Sequence, residues 1–413
     1  MKKASKLLAI AIMLVMVLSL VAGCGGNTSE ESIGEQAETQ VLNVSMALGE
    51  SEWEVMRSYV FPKFEAENNV KIQAIQTEPA DLITRLEAMH QAGKMEIDII
   101  TQDNMQLAQL VEKGLVEDLS EFKSKIPGSI LPSLVPVGEF NGKLFFMPYR
   151  PNVEINFYNE NKFNEYDLKP PSNWDELMNV AKTFYEEEGI GRVAIKGTLD
   201  GCTTVQLFEF IRQAGGDPLV LNDDGSIKAY TFLQEIWPYL SADAARANWN
   251  TMNRYLATES VYIGANWPFG VNVIVEEGGK KEIKAYGGFS GPVKESKVLG
   301  GEVIGIPVGS PNKDLAVKFM EYLMSKETQE ILVTKLGWPA SRGDAYGEVE
   351  DWQKPYFAAV NDALSVAEAR PNVVYWDTVD KALNDALREI AMEGKDVKAT
   401  LDKYAKVIQE AKK

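Results

Sequence analysis

From Val41 onward the apolar positions switch between two periods. Leu42 to Leu48 reads as an apolar strand, and Val55, Met56, Tyr59 and Val60 follow at the spacing of one helix face. Val70, Ile72 and Ala74 alternate with polar neighbours as a half-buried strand does, and Leu82 to Met89 returns to helical spacing. Ile97-Asp98-Ile99-Ile100 is a short strand of the buried kind, and Gly114 closes the helix after it. Three strands each followed by a helix predict an α/β fold with a parallel sheet covered by helices.

The middle of the chain repeats this grammar. After Pro170-Pro171, Ser172 or Asn173 can cap a helix whose apolar face opens with Trp174, so Trp174 reads as a packing residue. A helix is expected over Val205 to Ala214 and a strand over Val261 to Ala265. The last third is helical, at Leu315 to Met324, Thr328 to Leu336, Val379 to Met392 and Val397 to Ile408. No internal repeat is visible. Gly278-Gly279, Gly287-Gly288 and Gly300-Gly301 lack the spacing of a phosphate-binding loop, and they read as turns.

The first residues follow a different rule. Lys2, Lys3 and Lys6 precede an apolar run from Leu7 to Leu18, short for a membrane span, which ends in Leu20-Val21-Ala22-Gly23-Cys24. That ending resembles the lipobox of bacterial lipoproteins. The resemblance implies a signal peptide over residues 1–23 and lipidation of Cys24, whose several acyl chains anchor stably where one would not. A plain signal anchor with a chance cysteine is the alternative. Residues 24–40 then form a lipidated, polar and acidic tether without apolar periodicity.

Composition narrows the function classes. With 42 basic against 60 acidic side chains the net charge is −18, and loss of the three leader lysines makes it more negative. Such a surface repels phosphate backbones and anionic head groups, so no nucleic acid partner is expected and the membrane is met only through the anchor. Cys24 and Cys202 are the two cysteines, so the mature lipoprotein has no intramolecular disulfide and must rely on burial. Roughly 370 residues after the tether exceed what one core organises, which favours two domains.

A single histidine, His90, removes HExxH zinc sites, histidine-assisted nucleophiles and His-rich metal clusters. It lies beside an apolar helical stripe and reads as a surface or packing residue. No metal and no cofactor is expected. Glu187-Glu188 and Asp223-Asp224 are adjacent in sequence, which does not set two carboxylates across a scissile bond, and they read as solvated faces and loops.

Aromatic and planar polar residues meet at predicted strand and loop ends: Glu52-Trp53, Asp103-Asn104, Tyr149-Arg150, Trp267-Pro268, Trp338-Pro339 and Tyr375-Trp376. Ligands bind at the carboxyl ends of strands in α/β sheets, and a sugar suits this mixture. Its C–H faces lie on aromatic rings, while its hydroxyls need side chains that accept and donate. Each of these aromatics could equally belong to a core. Trp53, in particular, is either a cleft residue or helix packing.

An ordered series of segments resembles the extracellular solute-binding proteins of ABC sugar importers, the family of maltose, trehalose and oligosaccharide binders. The segments are EIDIITQDNMQLAQLVEKGLVEDL, NGKLFFMPYRPNVEINFYNENKF, PPSNWDELMNVAK, IGANWPFGV, the stretch from GGEVIGIPVG to KLGWPASR, and ARPNVVYWDTVDKAL. The resemblance implies a two-lobed periplasmic-binding-protein fold of type II-like plan. Its lobes would be residues 41–150 plus 305–345 and residues 151–304 plus 346–413, joined by hinge crossovers with the ligand between them.

It further implies a stacking role for Trp267, another aromatic at Tyr375-Trp376, and polar contacts from Tyr149, Arg150, Asn152 and Glu154 on a crossover strand. The Asp-Arg pair common in maltose binders lands instead on Met105 and Gln106, so Asp103 or Asn104 would have to stand in. The family function would be capture by hinge closure, without catalysis, and delivery to ABC permease subunits by a monomer at the extracytoplasmic face. The long tether suits a Gram-positive surface. The rivals are a surface-anchored glycoside hydrolase, a polyamine or other cation binder favoured by the acidic chain, and an adhesive lipoprotein.

Overall fold

The computed structural model describes residues 39–413 apart from Glu348, so the leader, Cys24 and most of the tether lie outside the described residues. The tether is expected to run to Gln40, yet Gln40 already pairs with Val70 in the first strand, Gln40–Met46.

Two sheets organise the chain. In the first, Gln40–Met46 lies parallel to both Val70–Gln76 and Ile99–Asp103, as the alternation of strand and helix predicts. The sheet is not wholly parallel, however. The strand Lys297–Gly305 returns antiparallel beside Ile99–Asp103, with Ala367–Ala369 and Met147–Asn152 also pairing to it. The second sheet orders Ile283–Tyr286, Ile155–Asn159, Ile263–Asn266 and Val193–Ala194, with only the last pair parallel. Periodicity identifies strands; the long return connections that fix their direction leave no periodic mark.

Each sheet has its own core. Leu42, Val44 and Met46 pack with Phe64, Phe319 and Met320 around the first. Phe157, Phe184, Phe208, Tyr230 and Trp376 join the second. The chain crosses between sheets from Asn152 to Ile155, again from Tyr286 to Lys297, and around Ala367–Ala369 before its final helices join the second core.

Helix ends follow local chemistry. Asn173 caps Trp174–Glu188 by accepting the Glu176 N–H at 2.9 Å, and Trp174 is buried with its ring stacked on Phe232 at 4.6 Å. Asp223 caps the helix Asp224–Ile236 through the Ser226 N–H at 2.7 Å, so the Asp223-Asp224 pair is a helix start, where carboxylates are favoured, rather than a loop. His90 is exposed at the end of Pro79–Gln91. Among the described residues no helix is long and apolar enough to cross a membrane.

The predicted stripe at Val55 to Val60 belongs to a longer helical run from Glu50 to Asn68 with a wide turn at Met56–Val60. Pro62 has no N–H to give and crowds the carbonyl four residues back; the Phe61 N–H reaching Met56 absorbs the defect. Asn272–Glu277 is a second wide turn. Both border the cleft described below.

Gly300-Gly301 is not the turn its sequence suggests, because both residues lie within the strand Lys297–Gly305. Gly301 has φ +114°, and a Cβ there would fall 2.1 Å from the Arg150 carbonyl oxygen. The pairing shifts next door, between Glu302 and Val303, so that Tyr149 is the extra residue of a bulge that re-aims Arg150. Gly301→Ala is expected to destabilise the fold by about 2 kcal/mol or more. Urea unfolding checks this, and a wild-type midpoint would mean the strands do not approach so closely.

Candidate functional site

A cleft of about 800 Å³ is lined by residues from the ends of both sheets. Its first wall begins where Gln40–Met46 runs into the helix at Glu50. Glu52 is held twice: one carboxylate oxygen accepts the Gly49 N–H at 2.7 Å, and the other accepts the Trp338 indole N–H at 3.0 Å. The second oxygen also meets the Arg150 guanidinium at 3.4 Å. Arg150 binds Glu302 at 3.0 Å and lies 4.0 Å over the Trp338 ring.

The electrostatics follow from this crowding. Burial works to lower the Arg150 pKa, but the Glu302 and Glu52 carboxylates outweigh it and the value lies above the ordinary one. Burial raises the Glu302 carboxyl, against the opposing pull of Arg150. A second ion pair joins Asp103 to Arg370 at 2.7 Å, and Asp103 also accepts the Met105 N–H at 3.0 Å. The lining carries six acidic side chains against the three bases Arg150, Lys335 and Arg370.

The facing wall is aromatic. Trp267 follows the strand Ile263–Asn266 and lines the cleft half-buried, with Phe269 beside it. Trp249 opens the helix Trp249–Ala257 and stands 49% exposed at the cleft, its ring 5.9 Å from Phe269 and nearly edge-on. Across from them on the first wall, Tyr59 of the wide turn Met56–Val60 is 51% exposed with the Lys335 ammonium 5.1 Å over its ring.

Of the residues singled out from sequence, Glu52, Asp103, Arg150, Asn152, Trp267 and Trp338 line this cleft. The other six do not, and each has a physical reason. Trp53 is buried against Phe61 and donates its indole N–H to Gln76 at 2.6 Å, so it steadies a lining residue from behind. Asn104 turns inward to the Leu299 carbonyl at 3.1 Å. Tyr149, the bulged residue, is buried edge-on to Trp338 at 6.2 Å, where burial pushes its hydroxyl pKa up. Glu154 has no exposure and is paired with Lys196. Trp376 is buried in the first turn of Trp376–Leu387, 5.6 Å from Phe208, and Tyr375 packs on the same core.

Sequence reasoning missed Trp249, Phe269, Tyr59, Gln76, Arg370 and Asn272. Trp249 had a usable signal, because Asn248 and Thr251 form a capping box and so set Trp249 at a helix mouth. Arg370 had none, since its partner Asp103 is 267 residues away. Cys202 is partly buried, and burial pushes its thiol up to about 12, so it is no ready nucleophile. Among the described residues no three His, Cys, Asp or Glu side chains are grouped to hold a metal ion.

Comparison with known proteins gives the family. Residues 60–359 match the family of bacterial extracellular solute-binding proteins. An uncharacterized ABC transporter extracellular-binding protein of Pyrococcus horikoshii is 24% identical over 214 residues, which span half of this chain and half of that relative. In structure, the maltose-bound MalE3 of T. maritima superposes with a TM-score of 0.79 at 19% identity, covering 90% of this chain and 99% of that one. The GacH receptor of Streptomyces glaucescens, described unliganded and with acarbose, gives 0.79 at 16% identity over 91% and 98%. A Listeria monocytogenes substrate-binding protein in complex with cycloalternan gives 0.73 at 15% over 91% and 99%. The fold is thus the two-lobed one, and this chain belongs to the bacterial extracellular solute-binding proteins.

Proposed function

We propose that this protein captures a sugar, in particular an oligosaccharide, by closing its two lobes, and hands it to the permease subunits of an ABC importer. The observation that carries the proposal is the pairing of indole faces with planar charged groups in one cleft of about 800 Å³. That size lies within the range of about 300 to 1,000 Å³ usual for small-molecule sites. Maltose, acarbose and cycloalternan are the ligands of the structural neighbours, and all are saccharides. Closure requires a ligand that prefers the closed form, by about 5.5 kcal/mol to invert a 99:1 population. A ligand touching both walls supplies such a preference.

Capture is favoured over cleavage by one detail. A glycosidase needs its scissile bond between two carboxylates, and the guanidinium of Arg150 is bonded to both Glu52 and Glu302. A polyamine is the second proposal, favoured by the acidic excess of the lining. The protein would work outside the cytoplasm, held to the membrane by the lipid on Cys24, as a monomer.

A thermal-shift screen against mono- and oligosaccharides of varied linkage, with spermidine included, tests the class. A ligand at a hundred times its Kd stabilises by about 2.7 kcal/mol and raises Tm by a few degrees. Shifts within one oligosaccharide series, insensitive to salt, are expected; shifts with spermidine alone, fading as salt rises, would replace sugar with cation. Among variants, Trp267→Ala should weaken binding at least tenfold at unchanged Tm. Trp376→Ala should instead cost stability by about 3 to 5 kcal/mol, as core tryptophans do. Equal losses of affinity in both, measured by calorimetric titration, would contradict their different placements. Cys24→Ser should move the protein from the membrane to the soluble fraction, and its retention in the membrane would refute lipid anchoring.

A further inference from the structure

One buried ion pair lies directly behind the aromatic wall. The Lys196 ammonium is paired with Glu154, and neither side chain has any exposure. The same ammonium lies 4.2 Å from the centre of the Trp267 ring. Three segments meet there. Glu154 sits where the chain crosses from Met147–Asn152 of the first sheet to Ile155–Asn159 of the second. Ile155 pairs with Asn266, so the antiparallel register sets Glu154 beside Trp267. Lys196 is fixed from its other side, because its backbone N–H donates to the Gln206 side chain at 2.7 Å.

We infer that Glu154 and Lys196 form a positioning pair that holds the indole of Trp267 in the orientation it presents to the cleft. Two charges removed from water are a poor source of stability, because the desolvation cost offsets their attraction, and well-packed apolar side chains of similar volume often serve as well or better. An ammonium over an indole is different. It attracts the ring face electrostatically, most strongly when desolvated, and so restricts a ring that would otherwise swing at the cleft edge. With one face covered by Lys196, the ligand has only the opposite face on which to lie. The carboxylate makes this arrangement directional, since it fixes the ammonium relative to the crossover that must twist when the lobes close.

The functional meaning rests on the sugar-capture proposal; the geometry does not, and the test separates them. Lys196→Met alone strands a buried carboxylate and can fail to fold, so the deciding variant is Glu154→Leu with Lys196→Met, in the full chain. The Trp267 signal is isolated by subtracting the matching Trp267→Phe protein. Without any ligand, the double variant is expected to melt at or above the wild-type temperature. Its Trp267 near-UV circular dichroism should fall by half or more, and acrylamide quenching of Trp267 should rise at least twofold. Lys196→Arg, which keeps a cation over the ring, should retain most of both signals. A folded double variant with wild-type Trp267 dichroism and quenching would overturn the inference. With maltotriose as probe, the double variant should bind about tenfold more weakly, and wild-type affinity would count against the pair. A wild type that ignores every saccharide would sink sugar capture, while the ligand-free ring signals would still decide the pair.

Discussion

A guanidinium set into a half-buried protein wall has to be satisfied on the spot, and this demand, at Arg150, governs the architecture of the cleft. Three other stretches of chain converge to meet it. Glu52 comes from the helix after the first strand, 98 residues away, and Glu302 from the long return strand, 152 residues away. Trp338 covers the guanidinium face and binds Glu52 across 286 residues. At 4 Å and an effective dielectric of 20, one such charge contact is worth about 4 kcal/mol before desolvation is subtracted. Removing the guanidinium would leave two carboxylates without their shared cation in a wall that is largely buried. The cluster therefore fixes the ends of distant segments relative to one another, and the floor of the cleft is built from those ends.

Regular structure alone would not bring these groups together. Arg150 is aimed by a bulge opposite Glu302 and Val303, and that bulge is possible because Gly301 lets one strand lie against the Arg150 carbonyl. Met147–Asn152 carries Pro148 and Pro151, which have no N–H to donate, and it pairs along one side only, to the return strand. Wide helical turns at Met56–Val60 and Asn272–Glu277 place Tyr59 on one wall and Asn272 and Val273 on the other. Each of these irregularities costs some local stability and lies at the cleft, whereas a third wide turn, Arg388–Met392, packs Ile390 into the second core.

This explains what the sequence made legible. Strand and helix periods are local, so the first three strand-helix repeats and four of the final helices could be read, although the first stripe marks only the middle of Glu50–Asn68 and the helix Lys354–Ser365 went unforeseen. Sheet direction could not, because Lys297–Gly305 pairs with Ile99–Asp103 across some two hundred residues of chain. Trp267 and Trp376 make the same point for the site. Both tryptophans follow a short polar or strand-like segment and precede a helical stretch. The tertiary fold turns one to the cleft and buries the other against Phe208, and no local pattern separates the two. Tyr149 and Arg150 divide between core and cleft as strand neighbours do, but which of the two faces the cleft is set by the partner strand.

The charge balance of the cleft gives the last step. Its two arginines are already engaged, Arg150 by two carboxylates and Arg370 by Asp103, so neither stands ready for an anion. A ligand carboxylate would have to displace a resident one and face the remaining acids of the lining, an exchange that gains nothing in Coulomb energy. A hydroxyl meets no such barrier. It can donate to Glu52, Asp103 or Glu302 and accept from a guanidinium N–H without breaking the ion pair, since carboxylates and guanidinium groups have several bonding sites each. The ion pairs of the wall are therefore rich in hydrogen-bonding directions, and the acidic excess of the lining leaves it poor in net attraction for anions. Set beside aromatic faces, that combination suits the neutral polyhydroxylated ligand proposed above better than an acidic one, and under that proposal the reach of Trp249, Trp267 and Trp338 would choose among sugars.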